Sequence, residues 1–245
     1  MSRPNALVVR GPGTNRDRDA AFALDLAGAE PHVVLVAELV ERPEIVRDAR
    51  LIVVAGGFSY ADALGAGRLL ALDLTAAGLG DELAAFVAAG RPVLGICNGF
   101  QALVRSGLLP GAGRQVALGH NASGRFDCRW VHLTPRSSRC IWTAALDDEI
   151  ECPIAHGEGR FTCDDETLAT LVDGDQIALT YAGGNPNGSR DDVAGICDPT
   201  GVVLGLMPHP ENHVVARQHP RAGRGTAAGL GLRLFEEGVR YAKEL

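Results

Sequence analysis

The sequence predicts an α/β fold, an open and mostly parallel sheet flanked by helices, with further mixed or antiparallel strands in its second half. Three observations lead there. Short runs of Val, Leu and Ile recur in the first hundred residues without polar alternation, as in strands covered on both faces. Segments with apolar residues at helical spacing separate these runs. From about Val116 the pattern changes to strands joined by turn-rich segments, yet no linker, repeat or low-complexity stretch divides the chain, so one domain over residues 1–245 is expected.

The first strand is expected at residues 6–10. A helix follows at 17–28, where Ala21, Leu24 and Ala27 recur at helical spacing and Gly28 supplies the stop. Strands are expected at 32–36 and 51–55, a helix at 81–89, a strand at 92–96 and a helix at 99–106. In the second half, 125–133, 177–181, 193–197 and 202–206 read as strands, with the Gly-Gly-Asn-Pro-Asn-Gly run at 183–188 as the plainest loop. The stretch 226–243 reads as a terminal helix with Leu230, Leu234 and Val239 toward the core. Ligands of such a sheet sit at the carboxyl ends of its strands.

Composition narrows the function classes. A formal net charge of −7 argues against nucleic acid as a partner, because phosphate binding needs a basic face. No apolar run approaches a membrane span, and a strand-like segment begins directly after Pro4-Asn5, so neither a membrane anchor nor a leader is expected. The six cysteines form no C-x-x-C pair, which fits a reducing, cytoplasmic setting. The near-even spacing of Cys128, Cys140, Cys152 and Cys163 is attributed to chance placement rather than to a metal cluster. Gly11-Pro12-Gly13-Thr14-Asn15 follows a strand but lacks the Gly-Lys-Ser/Thr ending of a P-loop, so no nucleotide cofactor is expected in this chain.

The chemistry centres on Cys97. The run Pro92-Val93-Leu94-Gly95-Ile96 delivers it into Asn98-Gly99-Phe100-Gln101, the strand–nucleophile–helix pattern G-x-[nucleophile]-x-G with a cysteine in the nucleophile's place. Glycines at 95 and 99 suit a strained turn that would not tolerate neighbouring side chains. The helix N-terminus favours a thiolate, and the N–H of Asn98 is placed to donate to an oxyanion. A small buried cysteine ending a core strand is the bland alternative.

Such a nucleophile needs an oriented base. His209 emerges from an apolar strand within Met207-Pro208-His209-Pro210-Glu211, and in an extended segment Glu211 shares its face and steadies the imidazole. His209, Glu211 and His213 as three metal ligands is a competing reading, and His156 in Ala155-His156-Gly157-Glu158-Gly159-Arg160-Phe161 is a rival base. The Gly56-Gly57 turn after the strand at 51–55 offers a second amide for the oxyanion.

Taken together, these segments resemble the class I, triad-type glutamine amidotransferases, and among them the glutaminase subunits of phosphoribosylformylglycinamidine synthase. Gly56-Gly57-Phe58-Ser59-Tyr60, His156-Gly157-Glu158-Gly159-Arg160-Phe161 and Asn185-Pro186-Asn187-Gly188-Ser189 carry the narrower likeness. The resemblance implies a flavodoxin-like domain with Cys97 as nucleophile, His209 as general base and acid, and Glu211 as its orienting partner. It also implies the amides of Gly57 and Asn98 as the oxyanion hole, and Gln101, His156 and Arg160 as substrate-binding residues. Glutamine is then the substrate. The partners are a synthetase subunit, which carries ATP and magnesium, and a small third subunit. The alternatives are a glutaminase for a different synthetase, a related thiol hydrolase, or a non-catalytic assembly subunit. The chain departs from the family pattern at Arg16, where cysteine is usual, at Ala61, where glycine is usual, and at Gly65 and Asn212, where arginine is usual.

Overall fold

The structure, a computed structural model, describes residues 2–224 and 229–245. The first half contains β1 (Asn5–Arg10), α1 (Asp17–Leu26), β2 (Glu30–Leu35), α2 (Val36–Glu41), β3 (Leu51–Val54), α3 (Arg68–Leu74), α4 (Leu79–Ala88), β4 (Val93–Ile96) and α5 (Asn98–Arg105). The second contains β5 (Val116–His120), β6 (Asp127–Pro135), β7 (Ile150–His156), β8 (Glu158–Cys163), α6 (Asp165–Asp173), β9 (Ile177–Ala182), β10 (Val193–Cys197), β11 (Val203–Leu206) and α7 (Leu232–Glu244). Every strand expected from the sequence is present within a few residues, and so is every helix but the last, which begins at Leu232, residues 229–231 being described and not helical. The expected start of the terminal helix, residues 226–228, lies outside the described residues. Six elements were not foreseen: α2, α3, β5, β7, β8 and α6.

One nine-stranded sheet takes strands from both halves, in the order β2-β1-β3-β4-β11-β10-β9-β6-β7. Its first five strands are mutually parallel. The remaining neighbours pair antiparallel. β5 and β8 form a separate antiparallel ribbon. All four residues of β3, β4 and β11 are buried, as strands covered on both faces require. α5 and α7 both pack on β3. Each Val, Leu or Ile so buried contributes about 1.5–3 kcal/mol.

Two features of this topology position the site. β11, the last strand in the chain, inserts beside β4 in parallel with Leu206 opposite Ile96, and the N–H of Cys97 donates to the Leu206 carbonyl (2.8 Å). The residues that follow β4 and β11 therefore emerge side by side. On the other flank β3 pairs with β4, Val54 opposite Gly95, and so brings the turn at Gly56-Gly57 to the same edge.

β7 lies at the sheet's edge, and its outer rim is covered by the chain that follows β11. The N–H of His209 donates to the Pro153 carbonyl (2.8 Å), and the N–H of Glu151 donates to the Gly229 carbonyl (2.8 Å). His213 Nδ1 bonds the Glu151 carbonyl. A proline is tolerated at 153 because an edge position asks only for its carbonyl.

Candidate active site

Cys97 stands between β4 and α5 with φ 50° and ψ −105°, a left-handed conformation costing roughly 1–3 kcal/mol for a residue with a side chain. Its glycine neighbours are there for space. A Cβ at Gly99 would stand 2.0 Å from the Val54 carbonyl oxygen, and one at Gly95 would stand 2.5 Å from Leu103 Cδ1. The elbow forms because α5 runs directly against β3, and only glycine permits that approach.

His209 lies just past β11 and is 3% exposed; Glu211 is fully buried. His209 Nδ1 bonds Glu211 Oε1 at 2.6 Å, which leaves Nε2 for the hydrogen bond between His209 and Cys97. The expected pairing of His209 with Glu211 is present, but its geometry is not that of an extended strand. Residues Pro210–Asn212 form a single 3₁₀ turn, and the turn folds the carboxylate back onto the ring. Gly56 makes room for this imidazole, since a Cβ there would lie 2.8 Å from His209 Cε1.

Burial alone would lower the His209 pKa. The charges of Glu211 and Cys97 and the hydrogen bonds to both outweigh it and raise the value to about 10. His209 is therefore cationic at neutral pH, and a cation beside a cysteine at a helix N-terminus is the setting that activates a thiol nucleophile. Cys152 offers the contrast. It is completely buried, and burial together with the charge of Glu211 pushes its thiol well up, so it stays protonated.

His156, the rival base, is placed differently. Asn121 Nδ2 donates to the carbonyls of Arg125 (3.0 Å) and His156 (2.8 Å), so Asn121 Oδ1 is left to accept from His156 Nδ1 (3.0 Å). Burial and the nearby His209 cation lower the His156 pKa to about 4, so the ring is neutral and lacks a carboxylate to orient it. The metal alternative finds no support in the geometry. His213 bonds the Glu151 carbonyl and packs on Trp130, and no group of three or more potential ligands is gathered among the described residues.

A cleft of about 210 Å³ opens over the sulfur. Gly57, Cys97, Asn98, Gln101 and His156 all line it. Gln101 Nε2 donates to the Glu158 carbonyl (2.6 Å), tying α5 to β8 across the cleft floor. His209 and Glu211 lie behind the cysteine rather than on the cleft wall. Arg160 is not among the residues that line it; its Nε donates to the Gly188 carbonyl (3.0 Å), securing the 185–189 loop. Phe58 and Phe126, both partly exposed, stack with centroids 6.3 Å apart at the rim.

Two site residues were not foreseen. Asp62 and Glu158 also line the cleft. Asn98 Nδ2 donates to Asp62 Oδ1 (2.8 Å), and Ser59 donates to Asn98 Oδ1, so the turn after β3 is clamped onto the elbow. Tyr60, Ala61 and Asp62 all have positive φ, and Ala61 (φ 53°) occupies the position where the family usually has glycine. The signal that could have found Asp62 is its place in the Gly-Gly-Phe-Ser-Tyr-Ala-Asp run.

Comparison with known proteins places this geometry in a family. Residues 3–242 match the family described as the CobB/CobQ-like glutamine amidotransferase domain. The chain is 48% identical to phosphoribosylformylglycinamidine synthase subunit PurQ of Treponema denticola, over 98% of this chain and 99% of that protein. It is 39% identical to the same-named subunit of Dehalococcoides mccartyi, over the whole of both. A chain in the structure of PurLQS from Thermotoga maritima is similar with a TM-score of 0.78 and 35% identity, covering 98% of this chain and 99% of that one. The protein belongs to the CobB/CobQ-like glutamine amidotransferase domain family.

Proposed function

We propose that this chain is the glutaminase subunit of phosphoribosylformylglycinamidine synthase in de novo purine biosynthesis. It hydrolyses glutamine to glutamate and ammonia, and passes the ammonia to a synthetase subunit that converts formylglycinamide ribonucleotide to formylglycinamidine ribonucleotide. Its relatives bear the name PurQ, and the similar solved chain comes from an assembly named PurLQS, so the partners are the synthetase subunit and a small third subunit. ATP and magnesium belong to the synthetase subunit. The site of action is the cytoplasm; no helix among the described residues is long and apolar enough to cross a membrane.

The single observation that carries the reaction is the buried His209–Glu211 pair, hydrogen-bonded to a cysteine held at positive φ over a cleft. In the proposed course the Cys97 sulfur attacks the side-chain amide carbon of glutamine. The amides of Asn98 and Gly57 donate to the oxyanion, each such donor typically being worth a hundredfold or more in rate. His209 gives its proton to the nitrogen as the C–N bond breaks, and ammonia leaves. His209 then takes a proton from water, which attacks the γ-glutamyl thioester; glutamate departs and the thiol is restored. Gln101 and His156 lie where the bound glutamine would be contacted, while Arg160 acts through the loop it secures.

Cys97→Ala is the test. Glutamine-dependent synthesis by the assembled complex should be abolished while synthesis from added ammonium salts continues. Loss of both activities would favour an assembly role instead. Unchanged release of ammonia from glutamine would overturn the assignment.

A further inference from the structure

Resting on the glutaminase reading, we infer that Glu151 and His219 are positioning residues for the hydrolysis: they fasten His213 to the outer edge of β7, and so hold the 3₁₀ turn that brings Glu211 onto His209. Neither residue is among those that line the cleft over Cys97.

The turn's own hydrogen bonds are local. The N–H of Asn212 donates to the His209 carbonyl (3.1 Å), and that of His213 donates to the Pro210 carbonyl (3.0 Å). Such bonds shape the turn without placing it in the molecule. Placement comes from β7. Glu151 and Pro153 stand two apart on this edge strand, so their carbonyls face the same way. The Pro153 carbonyl accepts the N–H of His209 (2.8 Å) before the turn, and the Glu151 carbonyl accepts from His213 Nδ1 after it. Glu211 lies between these two anchors.

The first anchor joins backbone to backbone, whereas the second depends on where a side chain sits. The His213 ring stands edge-on to Trp130 (centroids 5.0 Å, 86°) and beside His219 (5.3 Å). His219 meets the same Trp130 ring (4.4 Å), and its Nε2 donates to Glu151 Oε1 (3.1 Å). The tautomer follows from its other nitrogen: Nδ1 accepts the N–H of Arg221 (3.0 Å), so Nε2 carries the proton. Arg221 Nη2 reaches the same carboxylate oxygen (3.3 Å). With its own N–H on the Gly229 carbonyl, Glu151 grips the chain after Glu211 at His213, His219 and Gly229.

The choice of a carboxylate here speaks for placement. Glu151 is 8% exposed. Burial works to raise its carboxyl, but the hydrogen bond from His219 and the neighbouring charges outweigh burial and hold it below the usual range. A buried ionic contact adds little net stability, because desolvation offsets the attraction; what it supplies is one defined arrangement.

The experiment uses the full chain assembled with its synthetase partner. Glu151→Ala removes the carboxylate, and His219→Phe removes the donor but keeps a ring beside Trp130. Each should lower kcat for glutamine about tenfold with KM within about threefold, and the two together should cost no more than either alone, as groups acting through one bond do. Glu151→Gln keeps an oxygen for His219 and should restore kcat to within about threefold of wild type. The decisive readout is the alkaline limb of the kcat–pH profile. The groups facing His209 are Glu211 from its own turn, Cys97 from the elbow and His156 from the end of β7. With Glu211 displaced, the raised value of His209 falls, and the limb should move down by about one pH unit in Glu151→Ala and in His219→Phe.

Activity lost with the limb unmoved would overturn the inference, since a smaller folded fraction leaves the profile of the remainder unchanged. So would a raised KM with unchanged kcat, Glu151→Gln as slow as Glu151→Ala, or wild-type kinetics in both Glu151→Ala and His219→Phe. Should Glu151→Ala fail to fold, His219→Phe carries the same outcomes; failure of both would assign the pair to stability and overturn the inference too. A wild-type complex that released no ammonia from glutamine would overturn the glutaminase reading and this inference with it. Normal wild-type turnover with indifferent variants would overturn this inference alone.

Discussion

Cys97 ends a central parallel strand and His156 ends an antiparallel strand at the sheet's edge, and the two are held in place by different means. Cys97 is positioned by backbone: a positive φ, two glycines admitting α5 against β3, and an amide bond to β11. The two strands that pair directly with β4, β3 and β11, flank it, and α5 follows it in the chain. His156 is positioned by side chains, through Asn121 and the neighbouring loop. His209 belongs to both regimes. It leaves the parallel strand β11, yet its own N–H is anchored on Pro153 of β7, 56 residues earlier in the chain. The parallel half thus fixes the cysteine by its backbone, and the antiparallel half supplies one wall of the cleft.

If that division is right, substitutions in the two regions differ in kind. The largest effect belongs to the pair that joins them. His209→Asn should lower kcat of glutamine hydrolysis by about 10⁴-fold or more, and Glu211→Gln by about 10²–10⁴-fold, because an amide neither fixes the tautomer nor stabilises the cation. Steady-state ammonia release measures both.

The same pair sets a pH dependence. His209 has its pKa raised in the folded state from 6.5 to about 10, so its stabilisation is complete below pH 6.5 and is lost as the pH rises through about 10. Unfolding measured across that window should show stability falling with pH, and Glu211→Gln should flatten the slope. An identical slope in the two proteins would remove the charge pair from the account.

Next in size is Gly99→Ala, which touches no substrate. A Cβ 2.0 Å from the Val54 carbonyl forces α5 off β3, at a cost of about 1–3 kcal/mol and a Tm lower by several degrees. Activity should fall further than stability alone explains, because the elbow moves. A variant with unchanged Tm and activity would show that the close approach is dispensable. The smallest effect is expected in the wall. Asn121→Ala frees the His156 ring, and should raise KM about tenfold while kcat changes less. A variant that lost kcat instead would place His156 in the chemistry and break the division.

The parallel half was largely legible in the sequence and the wall was not. Val93, Leu94 and Ile96 are buried on both faces and read as continuous apolar runs, and a cysteine between two glycines is a local signal. β7 hides because Glu151 and Pro153 interrupt its pattern, and Pro153 is acceptable only because the strand lies at an edge. α6 begins Asp-Glu-Thr and is capped by Asp164, whose side chain accepts from the Thr167 N–H, so its start resembles a polar loop. The clamp made by Asp62 was hidden for a different reason. It joins Asp62 to Asn98, 36 residues away, and no periodicity connects the turn after β3 with the start of α5. The pairing of His209 with Glu211 was anticipated from strand spacing, whereas a 3₁₀ turn produces it.

The central claim is that Cys97 forms the covalent link to glutamine. Its most direct test is the mass of acid-quenched protein taken during turnover, followed by peptide mapping. The account predicts a mass increase of one glutamyl group on the peptide carrying Cys97, with none on the peptides carrying Cys152 or the other four cysteines, and no adduct in Cys97→Ala. An adduct on another cysteine, or ammonia still released by Cys97→Ala, would contradict it.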